Sequence, residues 1–184
     1  NNPPPAGTIA TSVHPFGQNN FIACYFWNYT NDQFTWKISK SAVSGAELRT
    51  FFLTGPSAQA EVKVGHRNNL YVLERNYPFG QYPGYKLYKL NSNLVLESQR
   101  SIELPDGFSI INLNAFEMDE YDNIYLAGDG QYADGPGFSP ASFVIKTDKN
   151  LVPKWKYIDS SQTSFTRLHV DERFHVWVIE DFYT

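Results

Sequence analysis

Apolar residues in this chain fall into short runs, and the runs recur with a spacing of about fifty residues. The clearest copies read Val64-Gly-His-Arg-Asn-Asn69-Leu-Tyr-Val72, Met118-Asp-Glu-Tyr-Asp-Asn123-Ile-Tyr-Leu126 and Val170-Asp-Glu-Arg-Phe-His175-Val-Trp-Val178. Each is an apolar residue, a turn, an Asn or His, and a short apolar strand. Asn123 follows Asn69 by 54 positions, His175 follows Asn123 by 52, and Asn20 precedes Asn69 by 49. Four copies of one unit are present, and repetition on this scale predicts architecture before any single residue is weighed.

After each of the first three copies comes a stretch rich in Gly, Pro, Asn or Tyr, then a β-like run at residues 34–39, 85–90 and 142–147. A third run follows at residues 47–53, 94–102 and 152–158. With the strand ending at Val64, Met118 or Val170, each unit holds four strands. The strand assignments rest on β-branched and aromatic enrichment, on alternation as in Tyr85-Lys-Leu-Tyr-Lys-Leu90, and on the bounding turn residues. Continuous runs such as Leu70-Tyr-Val-Leu73 suit strands covered on both faces. Helical repeats of this period would need amphipathic helices of ten or more residues, and Pro or Gly interrupts nearly every such window.

The expected fold is all-β: four antiparallel strands per unit, the pattern of a β-propeller blade. Residues 1–7 are expected to form a Pro-rich extended arm, and residues 8–184 a propeller portion with blades near 8–57, 58–111 and 112–163 and a partial blade at 164–184. That is about three and a half blades, fewer than the four with which propellers generally close. The expectation is a portion of a larger ring, completed by blades of the same longer chain or of another subunit. Tyr71, Tyr125 and Trp177 occupy equivalent positions and are expected in the core between sheets.

Asp119-Glu-Tyr-Asp-Asn-Ile-Tyr-Leu126 resembles the Asp-x-x-Gly-Asn-Ile-Tyr-Val repeats of NHL-like and secreted bacterial propellers. The resemblance covers three blades and part of a fourth, and implies a fold without implying an activity. The chain has no Trp-Asp dipeptide and no Gly-Gly doublet, which sets it apart from WD40 and kelch repeats. Residues 31–36 share only Thr35 and Trp36 with the Asp-box turn of sialidase-like propellers, so no assignment follows from them.

Composition narrows the partners. A net charge of −4 with 15 Lys plus Arg offers no basic stripe, which argues against nucleic acid. No apolar run is long enough to span a bilayer as a helix. The single cysteine, Cys24, lies in an apolar run and is expected as a buried thiol. Asn28-Tyr-Thr30 is an N-glycosylation sequon, expected in a surface loop after the second strand. Scarce charge, abundant Tyr and Asn, and the sequon together point to an extracellular or cell-surface protein.

Candidate chemistry gathers in the loops between second and third strands. Arg75-Asn-Tyr77-Pro-Phe79-Gly-Gln-Tyr82-Pro-Gly-Tyr85 and Asp129-Gly-Gln-Tyr132-Ala-Asp134-Gly-Pro-Gly-Phe138 share Gly-Gln-Tyr, then Pro-Gly and an aromatic ring. With Tyr29 and Asp32 of the first blade, the residues Tyr77, Phe79, Tyr82, Tyr132, Asp134 and Phe138 are the candidate ligand contacts, suited to protein or carbohydrate. The opposing reading is that these rings fold back to cap their own loops.

Glu74, Asp129 and Asp181 stand at equivalent ends of second strands. Gathered carboxylates can bind calcium or perform acid-base work on a glycosidic bond, while solvated acids blunting strand ends are the structural alternative. The 129–135 segment lacks the ligand spacing of an EF-hand. Asp119, Asp122 and Asp171 read as turn formers. His14, His66, His169 and His175 show no metal-binding spacing, although His169 and His175 are near enough to meet across a hairpin. No nucleophile elbow or phosphate loop occurs. Two classes of function remain: a non-enzymatic recognition or assembly module, and a glycan-processing hydrolase or lyase with acids at a ring centre.

Overall fold

The computed structural model describes residues 10–30, 33–55, 57–76, 84–103, 105–134, 137–161 and 163–182. Among them there is no helix, and the strands form antiparallel sheets, one of them curled. The first sheet is β1 (Ala10–Phe16), β2 (Asn20–Thr30), β3 (Gln33–Ala42) and β4 (Glu47–Gly55), each paired with its sequence neighbour. The second is β5 (Ser57–Val64), β6 (Leu70–Asn76), β7 (Gly84–Leu90) and β8 (Leu96–Ser101). The third is β9 (Phe108–Met118), β10 (Ile124–Asp134), β11 (Gly137–Thr147) and β12 (Pro153–Asp159), and β13 (Thr163–Val170) pairs with β14 (Val176–Phe182).

The chain divides into two compact units at Ile102 and Glu103. In the first, β5 packs across β1, β2 and β3. Ile22, Cys24, Trp36 and Ile38 of one sheet meet Ala60, Val62, Leu70 and Val72 of the other in a single apolar cluster. Cys24 is fully buried there, its Sγ 3.7 Å from the Ala60 carbonyl, as its apolar neighbours predict. In the second unit β13 lies across β9, β10 and β11 in the same way, and Phe165 packs with Ala127 and Val144.

One five-residue turn closes hairpins in both units. At Asn91, Asp119, Asp148 and Asp171 the first residue donates its N–H to the carbonyl four positions on and accepts the N–H of the residue three on. Its side-chain Oδ1 accepts the backbone N–H groups two and four positions ahead, at 2.8–3.1 Å. These short polar side chains satisfy turn amides that would otherwise lack partners. The fourth residue is left-handed: Leu94 (φ 59°), Asp122 (64°), Leu151 (64°) and Phe174 (64°). Ala42 and Gly65 begin the same backbone turn without the side-chain bonds, with Gly45 and Asn68 left-handed.

A leucine in that conformation costs about 1–2 kcal/mol. Leu94 and Leu151 are 4% and 1% exposed, and burying a leucine returns about 1.5–3 kcal/mol, which offsets the strain. For this reason the expected strand at 94–102 begins only at Leu96. A second difference concerns the segment read as a loop from Asp129. There β10 continues to Asp134 and pairs with β11 from Gly128↔Phe143 to Asp134↔Gly137.

The third difference is Trp177. Tyr71 and Tyr125 are 0% and 1% exposed, as expected of core positions, whereas Trp177 is 60% exposed. The Trp155 ring on β12 lies edge-on to Tyr125 at 6.1 Å. Among the described residues β14 pairs with β13 alone, so Trp177 has no such cover.

Candidate functional site

The three candidate acids do not form one set. Glu74 on β6 is buried, and the Tyr88 hydroxyl donates to its Oε2 at 2.5 Å. Desolvation first, then the hydrogen bond and charge of Glu74, push the Tyr88 phenol far above its ordinary value, so Tyr88 is a fixed donor. Asp181 on β14 is exposed.

Asp129 is buried within a polar network. Its Oδ1 accepts from Asn114 Nδ2 (2.6 Å) and Ser164 Oγ (2.8 Å), and its Oδ2 from Asn112 Nδ2 (3.2 Å). Asn114 Nδ2 also reaches the Phe165 carbonyl at 3.1 Å, and Ser142 Oγ donates to the Thr163 carbonyl. Carboxylate, amides and hydroxyls therefore tie β13 to the sheet beneath it. The reading of Glu74 and Asp129 as solvated strand-end acids is corrected: both are sequestered and bonded.

A bulge produces this arrangement. The register passes from Ala127↔Ala115 to Gly128↔Leu113, leaving Asn114 as the extra residue of β9. Bulges re-aim side chains in this way. They also bring backbones together: a Cβ on Gly128 would lie 1.8 Å from the Asn112 carbonyl oxygen. The other first strands bulge too, at Ala10/Ser12, Ser57/Gln59 and Phe165/Arg167.

The aromatic candidates divide. Tyr132 rests on its own sheet, where its ring lies 5.3 Å from that of Phe108, and a Cβ on Gly107 (φ 87°) would meet Tyr132 Cε2 at 2.5 Å. It covers the turn at Gly107 that precedes β9, not its own hairpin end. Phe138, across the hairpin and paired with Ala133, is 61% exposed. Asp32, Tyr77, Phe79 and Tyr82 lie outside the described residues, as do the side chains of Asn28, Tyr29 and Asp134. The backbone of Asn28 is in β2 opposite Thr35, so the sequon belongs to a strand near its hairpin end and not to a loop.

The turn acids show the most developed chemistry. Asp119 Oδ2 accepts from Asn123 Nδ2 (2.7 Å) and the Tyr125 hydroxyl (3.0 Å), with Lys146 Nζ at 3.8 Å. Lys146 Nζ also stands 4.8 Å from the centre of the Tyr125 ring. Asp171 repeats the set with other residues, its Oδ2 taking His175 Nδ1 (2.9 Å) and Trp177 Nε1 (3.2 Å). Desolvation alone would raise the Asp171 carboxyl. The donors from His175, Trp177 and Arg173 outweigh it and hold the group well below the usual carboxylate range. His169 pairs with Trp177 across the hairpin, and His175 turns to Asp171.

No protein-family model and no curated protein matches the chain. Among the described residues no group of three or more His, Cys, Asp or Glu side chains is placed to hold a metal ion, and no helix is long and apolar enough to cross a membrane. Sequence reasoning missed Asn112, Asn114 and Ser164 as partners of Asp129, because only a bulge and the packing of β13 bring them together. It also missed a lysine that had left a signal: Lys40, Lys89 and Lys146 stand opposite Ile22, Tyr71 and Tyr125.

Proposed function

We propose that the sheets are blades of a β-propeller portion, of the NHL-like or secreted bacterial kind. On this reading the protein is a non-enzymatic module that recognises protein or glycan outside the cell or at its surface. The blade reading is supported by the packing repeated within each unit, where the first strand of one sheet crosses the first three strands of the preceding sheet. The recognition reading is carried by Phe138, a phenylalanine 61% exposed beside the end of the long β10–β11 hairpin. An open ring on a strand near a hairpin end offers a stacking surface to an apolar sugar face or side chain. The engagement of Glu74 and Asp129 in structural hydrogen bonds favours recognition over hydrolysis.

A screen of the chain against a glycan array and extracellular protein ectodomains tests this proposal. The leading ligand should lose about ten-fold in affinity with Phe138→Ala, the scale of one lost ring contact, and should weaken with Tyr82→Ala. Tyr132→Ala should act chiefly by loosening the Gly107 turn. Absence of any ligand, or binding indifferent to both Phe138→Ala and Tyr82→Ala, would sink the proposal.

A further inference from the structure

The Asp129 network has an outer side that its structural bonds do not use. Asn112 and Asn114 are exposed, although the carboxylate they bond is only 8% exposed. Both amides hold Nδ2 inward, on Asp129, and Asn114 Nδ2 also lies 3.3 Å from Ser164 Oγ and 3.1 Å from the Phe165 carbonyl. A carboxylate and a carbonyl can only accept, so neither amide can turn its oxygen toward them. The two Oδ1 atoms are therefore held on the exposed side, a pair of acceptors whose direction is set from behind.

The same face continues along the β10–β11 hairpin. Asp129, Gln131 and Ala133 alternate onto it, and opposite them stand Ser142, Pro140 and Phe138. Gln131, Ala133, Pro140 and Phe138 are exposed. From Asn112 to Gln131, and from Gln131 to Phe138, are diagonal cross-strand steps of roughly 7–8 Å each. The row thus runs from two fixed acceptors, past an amide that both donates and accepts, to a proline and an open ring. It contains no lysine or arginine, and the acids Asp159 and Asp181 pair with Ser142 and Ser164 beside it.

We infer that this row is a binding site for a neutral oligosaccharide, whose hydroxyls donate to Asn112 and Asn114 Oδ1 while one sugar ring lies on Phe138. The inference rests on the recognition reading above and narrows its ligand to one class. Fixed acceptors match hydroxyl donors and lose little freedom on binding. An aromatic ring beside polar side chains matches an apolar sugar face rimmed by hydroxyls. Carboxylates in and beside the row, with no cation within it, disfavour sulfated or sialylated chains. Asp129 is a positioning residue: it lies beneath the two amides and sets which end of each faces outward.

The test screens the full 184-residue chain on an array of neutral, sialylated and sulfated glycans, with extracellular protein ectodomains in parallel. The strongest neutral oligosaccharide is then titrated by calorimetry beside its monodeoxy analogues. Neutral glycans should bind best. Asn112→Leu and Asn114→Leu should each weaken the titrated oligosaccharide about five-fold, the scale of one hydrogen bond. The analogue lacking the hydroxyl held by Asn112 should bind the parent chain about five-fold more weakly than the intact sugar, and Asn112→Leu should bind the two equally. Asp129→Asn should blur that discrimination, because a neutral amide can be met by either end of its neighbours. Each comparison of sugar with analogue is made within one protein, so a loss of stability does not mimic it. A preference for acidic glycans or for a protein ectodomain, or neutral binding that needs Phe138 yet ignores both asparagine changes, would overturn this inference and leave the recognition reading standing. Absence of any ligand would remove both.

Discussion

Gly128 sits where the β9 bulge presses against β10, and its missing side chain is what permits the approach. A methyl group there would lie 1.8 Å from the Asn112 carbonyl oxygen and 3.1 Å from the Leu113 Cα, both backbone atoms that cannot swing aside. Gly128→Ala should therefore destabilise the second unit by at least about 3 kcal/mol in chemical denaturation, the upper range of overpacking effects. A change of under about 0.5 kcal/mol would show that the bulge relaxes freely. Nothing in the sequence around Gly128 announces this contact. The residue looks like an ordinary glycine at a strand end, because the register that makes it indispensable is a property of two strands at once.

At the scale of the element, the recurrent turn governs where strands stop. Asp171 holds its turn through a carboxylate kept charged by donors from its own hairpin. A carboxyl with a depressed folded value binds its proton less readily in the native state. Its stabilising effect is complete above the unfolded value of about 3.9 and is lost as pH falls through the lower folded one. Asp171→Ala should lower the melting temperature of the β13–β14 hairpin at neutral pH, and the gap from the parent chain should begin to narrow as pH falls below about 3.9 and keep narrowing towards the lower folded value. A gap that stayed constant over that range would show that the carboxylate charge is not what holds the turn. The position of these turns was legible, since Asp and Asn recur at hairpin ends. The burial of Leu94 and Leu151 in left-handed geometry was not, because nothing local marks a leucine for a turn.

Across the whole chain, period and composition carried more than motifs did. The repeat of about fifty residues predicts four-stranded antiparallel sheets, and the strands are there. The candidate site was less legible: equivalent positions in the repeat do not meet equivalent neighbours. Glu74 found a tyrosine, Asp129 found two asparagines and a serine, and Asp181 found solvent. With a net charge of −4 at pH 7 and a pI near 5.5, the protein should be least soluble around pH 5.5 and more soluble on either side. Turbidity measured across that range checks this, and a minimum well away from it would point to a strongly perturbed charge set.

Among the described residues, the strands of each sheet are hydrogen-bonded in sequence order, each to its neighbour along the chain. Bringing two such strands together requires closing only a short loop, at small entropic cost. Assembly of this chain can advance hairpin by hairpin as residues become available, with the longest search reserved for laying β5 on the first sheet and β13 on the third.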